Sequence, residues 1–134
     1  MARRRILLAL SVGLAAVIVA GCGRDDFEND PRPPVPAEIG VKIGDGEVAV
    51  SPAEFGAGLV TFTVANFDEE PAVLVIEGPV DAVSNEVPPG GNLQIKTELE
   101  SGEYEASADG VEARPFTFTV GPERESGQDE LLLP

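Results

Sequence analysis

The sequence predicts an all-β domain, a sandwich of about seven short strands between residues 38 and 121. Apolar and polar residues alternate there with a period of two, as on strands that bury one face. Gly and Pro pairs separate the alternating segments at short intervals. Helical periodicity extends over no more than one or two turns, so these observations favour a β-sandwich.

The first two predicted strands are separated by the turn pair Asp45-Gly46, which tolerates positive φ. Val41 and Ile43 share one face before the turn, and Val48 and Val50 share one face after it. We expect both strands to lie in a half-buried antiparallel sheet.

The clearest alternation follows in residues 58–65, with Phe62 at the centre of the apolar face. A polar turn at residues 66–71 then reverses the chain. The continuous apolar run from Ala72 to Ile76 predicts a strand that is buried on both faces.

Residues 80–87 do not decide between a loose strand and a loop. Pro88-Pro89-Gly90-Gly91 is a firm turn signal. Three further segments then alternate with a period of two, at residues 93–99, 104–108 and 116–120. Besides aliphatic residues, the core is expected to contain six aromatic side chains: Phe55, Phe62, Phe67, Tyr104, Phe116 and Phe118.

Residues 1–21 have the order of a secretory signal peptide. Three arginines at 3–5 precede an apolar run from Ile6 to Val19, and small residues follow it. The run is shorter than the roughly 20 residues that a membrane-spanning helix needs. An uncut membrane anchor is therefore the weaker interpretation of this segment.

The segment Val19-Ala20-Gly21-Cys22 resembles the lipobox of bacterial lipoproteins. The resemblance implies cleavage between Gly21 and Cys22, and acyl chains such as palmitate attached at Cys22. These chains would anchor the protein to the extracytoplasmic face of the cell membrane. Cys22 is the chain's one cysteine, and acylation would explain an unpaired thiol in an oxidising compartment. The alternative is an ordinary signal peptide followed by a chance cysteine.

Residues 22–37 predict a tether between the lipidated cysteine and the domain. Acidic residues extend its first half by repulsion, and four prolines stiffen its second half. At the other end, residues 122–134 form an acidic tail that is expected to be disordered. The domain itself is therefore expected to span residues 38–121.

Acidic residues dominate the composition of the cleaved chain. Loss of the three leading arginines leaves six basic residues against 24 acidic ones, a formal charge of −18. Such a surface repels the phosphates of nucleic acid and of anionic lipids. Nucleic acid is therefore not an expected partner, whereas basic proteins and cations are compatible with this charge.

Residues 38–121 together resemble the cupredoxin-like sandwich, a Greek-key fold. The segments SPAEFGAGLVTFTVAN, AVLVIEG, VPPGGNLQIKTELESGEYEASADG and PFTFTV stand in the order that the family has them. An immunoglobulin-like or fibronectin-like sandwich would give nearly the same pattern.

The resemblance does not extend to the copper ligands. A blue-copper site needs two His and one Cys thiolate. In copper-binding relatives, a His follows the Asn turn and a Cys follows the Gly-x-Tyr strand. Here these regions hold Glu70-Pro71-Ala72 and Ala106-Ser107-Ala108-Asp109, and the chain has no His. The sequence therefore predicts neither a metal nor another cofactor.

Catalysis is not expected from this sequence. It contains no Ser-x-x-Lys or Gly-x-Ser-x-Gly motif, and it has no His that could serve as a base. Carboxylate pairs are uninformative among 24 acidic residues. The expected function is instead a non-catalytic, lipid-anchored module that binds a protein of the cell envelope.

For a protein partner, the expected contact surface consists of exposed threonine faces and acidic loops. The loop end where cupredoxins hold copper is where a captured ligand would be expected. Two alternatives remain open, capture of a small ligand or of a divalent cation such as calcium at this end, and a purely structural envelope role. Calcium prefers oxygen ligands, although Asp68-Glu69-Glu70 lacks the spacing of an EF-hand. The candidate residues are Asn66, Asp68, Glu69, Glu70, Tyr104 and Asp109.

Replacing Cys22 with alanine tests the lipid anchor. The substitution removes the thiol that would receive the acyl chain, so we expect complete loss of palmitate labelling and accumulation of the uncleaved precursor. Metabolic labelling of wild-type and Cys22→Ala chains in parallel measures both effects. Equal labelling of the two chains would contradict lipidation at Cys22.

Overall fold

The computed structural model describes residues 34–125. The predicted signal peptide, Cys22, most of the tether and the tail from residue 126 lie outside the described residues. Within residues 34–125, no helix is long and apolar enough to cross a membrane.

Eight strands and no helix make up the described part of the chain, which confirms the predicted all-β class. The seven longer strands coincide with the alternating or apolar segments of the sequence, and the two-residue β5 falls where the sequence did not decide. The strands are β1 (Ala37–Gly44), β2 (Glu47–Ser51), β3 (Glu54–Asn66), β4 (Val73–Glu77), β5 (Ala82–Val83), β6 (Asn92–Leu99), β7 (Gly102–Asp109) and β8 (Phe116–Glu123).

The 13-residue strand β3 belongs to two sheets. Its first residues pair with β8, and its remainder from Gly58 pairs with β1 and β6. Sheet A has the strand order β2-β1-β3-β6, and sheet B has the order β3-β8-β7-β4-β5. A bulge between Gly56 and Ala57 marks the passage from one sheet to the other.

The first two strands pair antiparallel, as expected, but the sheets are mixed, because two other strand pairs are parallel. β3 runs parallel to β1 and parallel to β8, whereas the other ladders are antiparallel. Sequence alternation reports which face of a strand is buried, but it does not report the direction of the neighbouring strand. The chain reverses between β1 and β2 and again between β2 and β3. Because β3 then lies beside β1, the two strands run in the same direction.

The two sheets enclose one apolar core. Phe62 from sheet A and Phe118 from sheet B are both almost fully buried. Their ring centroids lie 6.2 Å apart, and Phe118 stacks on Tyr104 at 5.4 Å. These aromatic contacts join the inner faces of the sheets, as in a two-layer sandwich.

Tyr104 fixes the corner where the chain passes from β6 in sheet A to β7 in sheet B. Its hydroxyl donates a hydrogen bond of 2.9 Å to the carbonyl of Glu100, four residues upstream. This is the arrangement called a tyrosine corner, known from Greek-key sandwiches. Gly78 allows the ring its close fit, because a Cβ there would lie 2.4 Å from the ring atom Cδ1.

Two expectations about burial are wrong. Phe67 was expected in the core, but 67% of its surface is exposed, because the turn begins there and directs the side chain outward. β4 was expected to be buried on both faces. Leu74 and Ile76 are fully buried, whereas Val73 and Val75 are only half-buried, because a two-layer sandwich covers one face of each sheet.

Replacing Tyr104 with phenylalanine should make the stability less dependent on alkaline pH. Burial raises the pKa of the Tyr104 hydroxyl above its ordinary value of 10.0, so the unfolded chain loses this proton first. The stability that the neutral hydroxyl contributes is full below pH 10.0 and is lost as the pH rises towards the folded pKa. At neutral pH, the lost hydrogen bond should cost Tyr104→Phe about 1 kcal/mol.

Urea titrations of both chains at neutral pH and above pH 10.0 measure this effect. We expect the difference in unfolding free energy between wild type and Tyr104→Phe to shrink at the higher pH. A difference that stays constant would contradict the raised pKa.

Candidate functional site

The sandwich has two ends that differ in their loops. We call the end formed by residues 44–46, 66–71, 87–91 and 109–114 the turn end. Its loops touch one another, since a Cβ on Gly44 would lie 2.8 Å from Cβ of Phe67, and one on Gly110 would lie 2.5 Å from the carbonyl oxygen of Pro71. The opposite end, where the chain enters the sandwich at residues 34–36, is called the entry end.

Asn66 organises the turn end from a buried position. Only 1% of its surface is exposed. Its Nδ2 donates hydrogen bonds to the carbonyls of Glu70 at 2.8 Å and Val87 at 3.0 Å, and its Oδ1 accepts one from the Asp68 N–H at 2.9 Å. Both amide protons are therefore used within the protein. Asn66 holds the turn in place and does not itself reach the surface.

Backbone hydrogen bonds fix the same turn to both neighbouring loops. The Asn66 N–H donates to the carbonyl of Gly91 at 3.0 Å, and the Gly90 N–H donates back to Asn66 at 2.9 Å. The Phe67 N–H donates to the carbonyl of Ile43 at 2.7 Å. The turn is thus joined to the end of β1 on one side and to the loop before β6 on the other.

Phe67 projects from this fixed turn into solvent. The Lys42 ammonium lies 5.7 Å from the centre of its ring, within reach of a cation–π interaction. Lys42 also forms an exposed ion pair with Asp45. Their hydrogen bond raises the pKa of Lys42 and lowers the pKa of Asp45, so both are charged at neutral pH.

Four of the other five sequence-predicted site residues lie at the turn end. Asp68, Glu69 and Glu70 follow Phe67 on the turn, and Asp109 ends β7 beside it. Glu69, Glu70 and Asp109 are exposed, and Asp68 is half-buried. The turn end therefore carries an exposed aromatic side chain beside Lys42, and several exposed carboxylates.

Tyr104 does not join this group. It lies near the start of β7, about 17 Å from Asp109 at roughly 3.4 Å per residue. Its ring is packed between Gly78 and Phe118 in the core. The structure therefore assigns Tyr104 to the corner between the sheets, close to the entry end.

The carboxylates of the turn end do not surround a common point. Among residues 34–125, no group of three or more Asp, Glu, His or Cys side chains has the spacing of metal ligands. Asp68 instead accepts a hydrogen bond from the Glu69 N–H at 2.8 Å. No geometry in the described part favours cation capture over contact with a partner.

Arg124 is a structural residue that the sequence reasoning missed. Its guanidinium donates hydrogen bonds to the carbonyls of Val35 at 2.8 Å, Leu59 at 2.6 Å and Ala57 at 3.3 Å. It thereby ties the entering chain, β3 and the end of β8 together. The available signal was a lone basic residue just after the last apolar strand. Two adjoining grooves of about 530 and 410 Å³ lie nearby and share Gly58, Glu98 and Glu123.

Neither a scan against protein-family models nor a search of curated proteins finds a match to this chain. A β-sandwich by itself hosts many functions. The function is therefore inferred from the surface and the turn end.

Replacing Asn66 with alanine should destabilise the domain by about 2–3 kcal/mol, because three backbone groups lose their hydrogen-bond partner in a buried site. Denaturant unfolding measures the loss. The matched control is Asn92→Ala, since Asn92 is exposed at the start of β6. Equal stability of the two variants would show that the Asn66 amide does not hold the turn.

Proposed function

We propose that this chain is a membrane-anchored extracytoplasmic lipoprotein whose copper-free, cupredoxin-like domain is non-catalytic and binds a protein partner through the turn end. The observation that carries the proposal is the exposure of Phe67, 67% of whose surface faces solvent on a fixed turn. Aromatic side chains are enriched among the residues that dominate binding energy at protein interfaces.

The rigidity of the turn supports a role in binding. Hydrogen bonds from Asn66 and Phe67 hold the turn before any partner arrives. Binding to an ordered loop costs less conformational entropy than ordering a mobile one. Phe67 would thus insert into an apolar pocket of the partner without rearrangement of the sandwich.

The exposed carboxylates at the turn end favour a partner with a basic rim. Glu69, Glu70 and Asp109 are exposed at the same end. Complementary charges of this kind accelerate association and select partners more than they add affinity. A central aromatic residue with a charged periphery also matches the usual arrangement of transient interfaces.

The direction of the chain is compatible with a lipid at Cys22. The chain enters at residues 34–36, and β1 then runs to the turn end over about 23 Å at roughly 3.3 Å per residue. An anchor attached through the preceding residues would hold the domain from its entry end. The turn end lies at the far end of β1 from residues 34–36.

The relation to cupredoxins is supported by two segments that lie close to each other. The turn after Asn66 and the end of β7 are those that bear copper ligands in that class, and they meet here where Gly110 abuts Pro71. Neither segment contains His or Cys. The metal-binding end of the family would therefore serve here for contact with a protein.

In-cell crosslinking of the full-length tagged chain, followed by mass spectrometry of the membrane fraction, tests the proposal. We expect one dominant partner with the wild-type chain. A variant that combines Phe67→Ala with Asp68→Asn, Glu69→Gln and Glu70→Gln should lose that partner, because both the apolar anchor and the charged rim are removed.

The matched control changes the same number of charges on the outer face of sheet B, with Glu77→Gln, Glu103→Gln and Glu105→Gln. This control variant should keep the partner. Equal loss in both variants would indicate a general effect of charge. A diffuse list of proteins with the wild-type chain would overturn the proposal.

A further inference from the structure

Three of the four sheet edges in residues 34–125 are short or covered. β5 has two residues, and β2 receives a backbone contact at Val48, whose N–H donates to the carbonyl of Arg114 at 2.9 Å. The first part of β3 pairs with β8 through only four residues and is bulged. Proteins commonly protect sheet edges in these ways, because open edges pair with other strands.

Within residues 34–125, the edge formed by β6 has none of these forms of protection. β6 has eight residues and pairs with β3 through eight consecutive positions without a bulge. No strand of the described chain lies on its other side. A long, regular edge of this kind is a template for a further strand.

The hydrogen bonds around Asn66 show which backbone groups of β6 are open. The N–H of Asn66 points towards the β6 side and that of Phe67 towards β1. Backbone groups of successive residues point to opposite sides of a strand, so the even-numbered residues of β3 face β6. In the observed register, these pair with odd-numbered residues of β6. The open N–H and C=O groups therefore belong to Asn92, Gln94, Lys96 and Glu98.

We propose that this edge of β6 pairs antiparallel with β6 of a second copy of the chain, about a two-fold axis at Thr97. Lys96 and Glu98 then form the hydrogen-bonded pairs, and Thr97 faces Thr97 of the second copy. The contact is isologous and closes at two chains. Sheet A of one copy would continue into sheet A of the other.

The charges on the outer face select this register. Lys96 lies opposite Glu98 of the second copy, and the symmetry makes this pair twice. An axis at Lys96 would place two lysines together, and an axis at Glu98 would place two glutamates together, which is unfavourable. An axis at Ile95 forms no ion pair. A lysine in an edge strand usually prevents pairing, but here Glu98 neutralises it in one register.

The core-facing side of β6 is complementary as well. Ile95 would lie opposite Leu99 of the second copy. Ile95 points towards the core but is only half-buried in the single chain. The added strand would extend the apolar layer over this edge, which supplies the hydrophobic part of the contact.

The distribution of charge permits two acidic chains to meet at this edge. By register, the outer face of sheet A carries Glu38, Glu47 and Glu98 against Lys42 and Lys96, and Arg114 compensates Glu47 through an ion pair of 2.9 Å. The acidic side chains Glu77, Glu103, Glu105 and Asp109 lie instead on the outer face of sheet B. The pairing leaves both turn ends free, so it is independent of the function proposed above.

Cysteine crosslinking of the full-length chain in bacterial cells tests the register. Thr97→Cys should give a disulfide-linked dimer, because the two Cα atoms would lie about 4.5 Å apart. Ile95→Cys and Lys96→Cys should give little dimer, because their Cα atoms would be separated by roughly 14 Å and 8 Å. The chain without an added cysteine measures any dimer formed through Cys22.

Charge variants in the Thr97→Cys background test the ion pairs. Lys96→Glu should lower the dimer yield about tenfold, since it places like charges opposite each other twice. The double change Lys96→Glu with Glu98→Lys should restore the yield, because the pairs form with reversed signs. Lys42→Glu makes the same charge change in sheet A away from the edge and should leave the yield unchanged.

Three outcomes would overturn the inference. The first is no dimer with Thr97→Cys above the level of the unaltered chain. The second is a stronger crosslink at Ile95 or Lys96 than at Thr97, which would show another register. The third is a crosslinked product of a different mass, which would show that another protein occupies the edge.

Discussion

The passage of β3 from sheet B to sheet A is the constraint on which the rest of the fold depends. One strand supplies the parallel neighbour of β8 and, beyond the bulge at Gly56, the parallel neighbour of β1. Because a single backbone runs through both layers, the position of one sheet fixes the position of the other. Phe55 and Phe62 lie on either side of the passage, and both pack near Phe118. The aromatic cluster therefore fills the space that the crossing strand creates.

The two ends of the sandwich are stabilised by hydrogen bonds from different polar side chains. At the turn end, the buried amide of Asn66 satisfies three backbone groups. At the entry end, Arg124 satisfies three carbonyls and Tyr104 a fourth. Loops would otherwise contribute little to stability, since few of their apolar atoms are buried. With both ends fixed, an exposed side chain such as Phe67 has a defined position in space, which a contact surface needs.

Charge is distributed unevenly over this scaffold. Glu105 lies directly opposite Glu77 on sheet B, and such like-charged pairs are destabilising. The outer face of sheet A carries charges of both signs around a row of threonines and small residues, with Glu47 paired to Arg114. The outer face of sheet B therefore repels other acidic molecules, whereas the edge of β6 can pair with a second acidic chain. The proposed partner contact at the turn end and the proposed pairing at β6 therefore use different parts of the domain.

The sequence by itself determined the all-β class, the positions of the longer strands and the turns between them, because alternation and Gly or Pro pairs act locally. It also showed the segment that resembles a lipobox and the lack of His and Met in the domain, because both can be read directly from the order of residues. Only the tertiary structure decided that β3 lies parallel to β1, that Phe67 is exposed, that Tyr104 is separated from Asp109, and that β6 has an open edge. These features depend on which strands become neighbours, and neighbours are chosen by burial of the whole core. A pattern of period two is the same whichever strand lies beside it, so no local signal could have decided them.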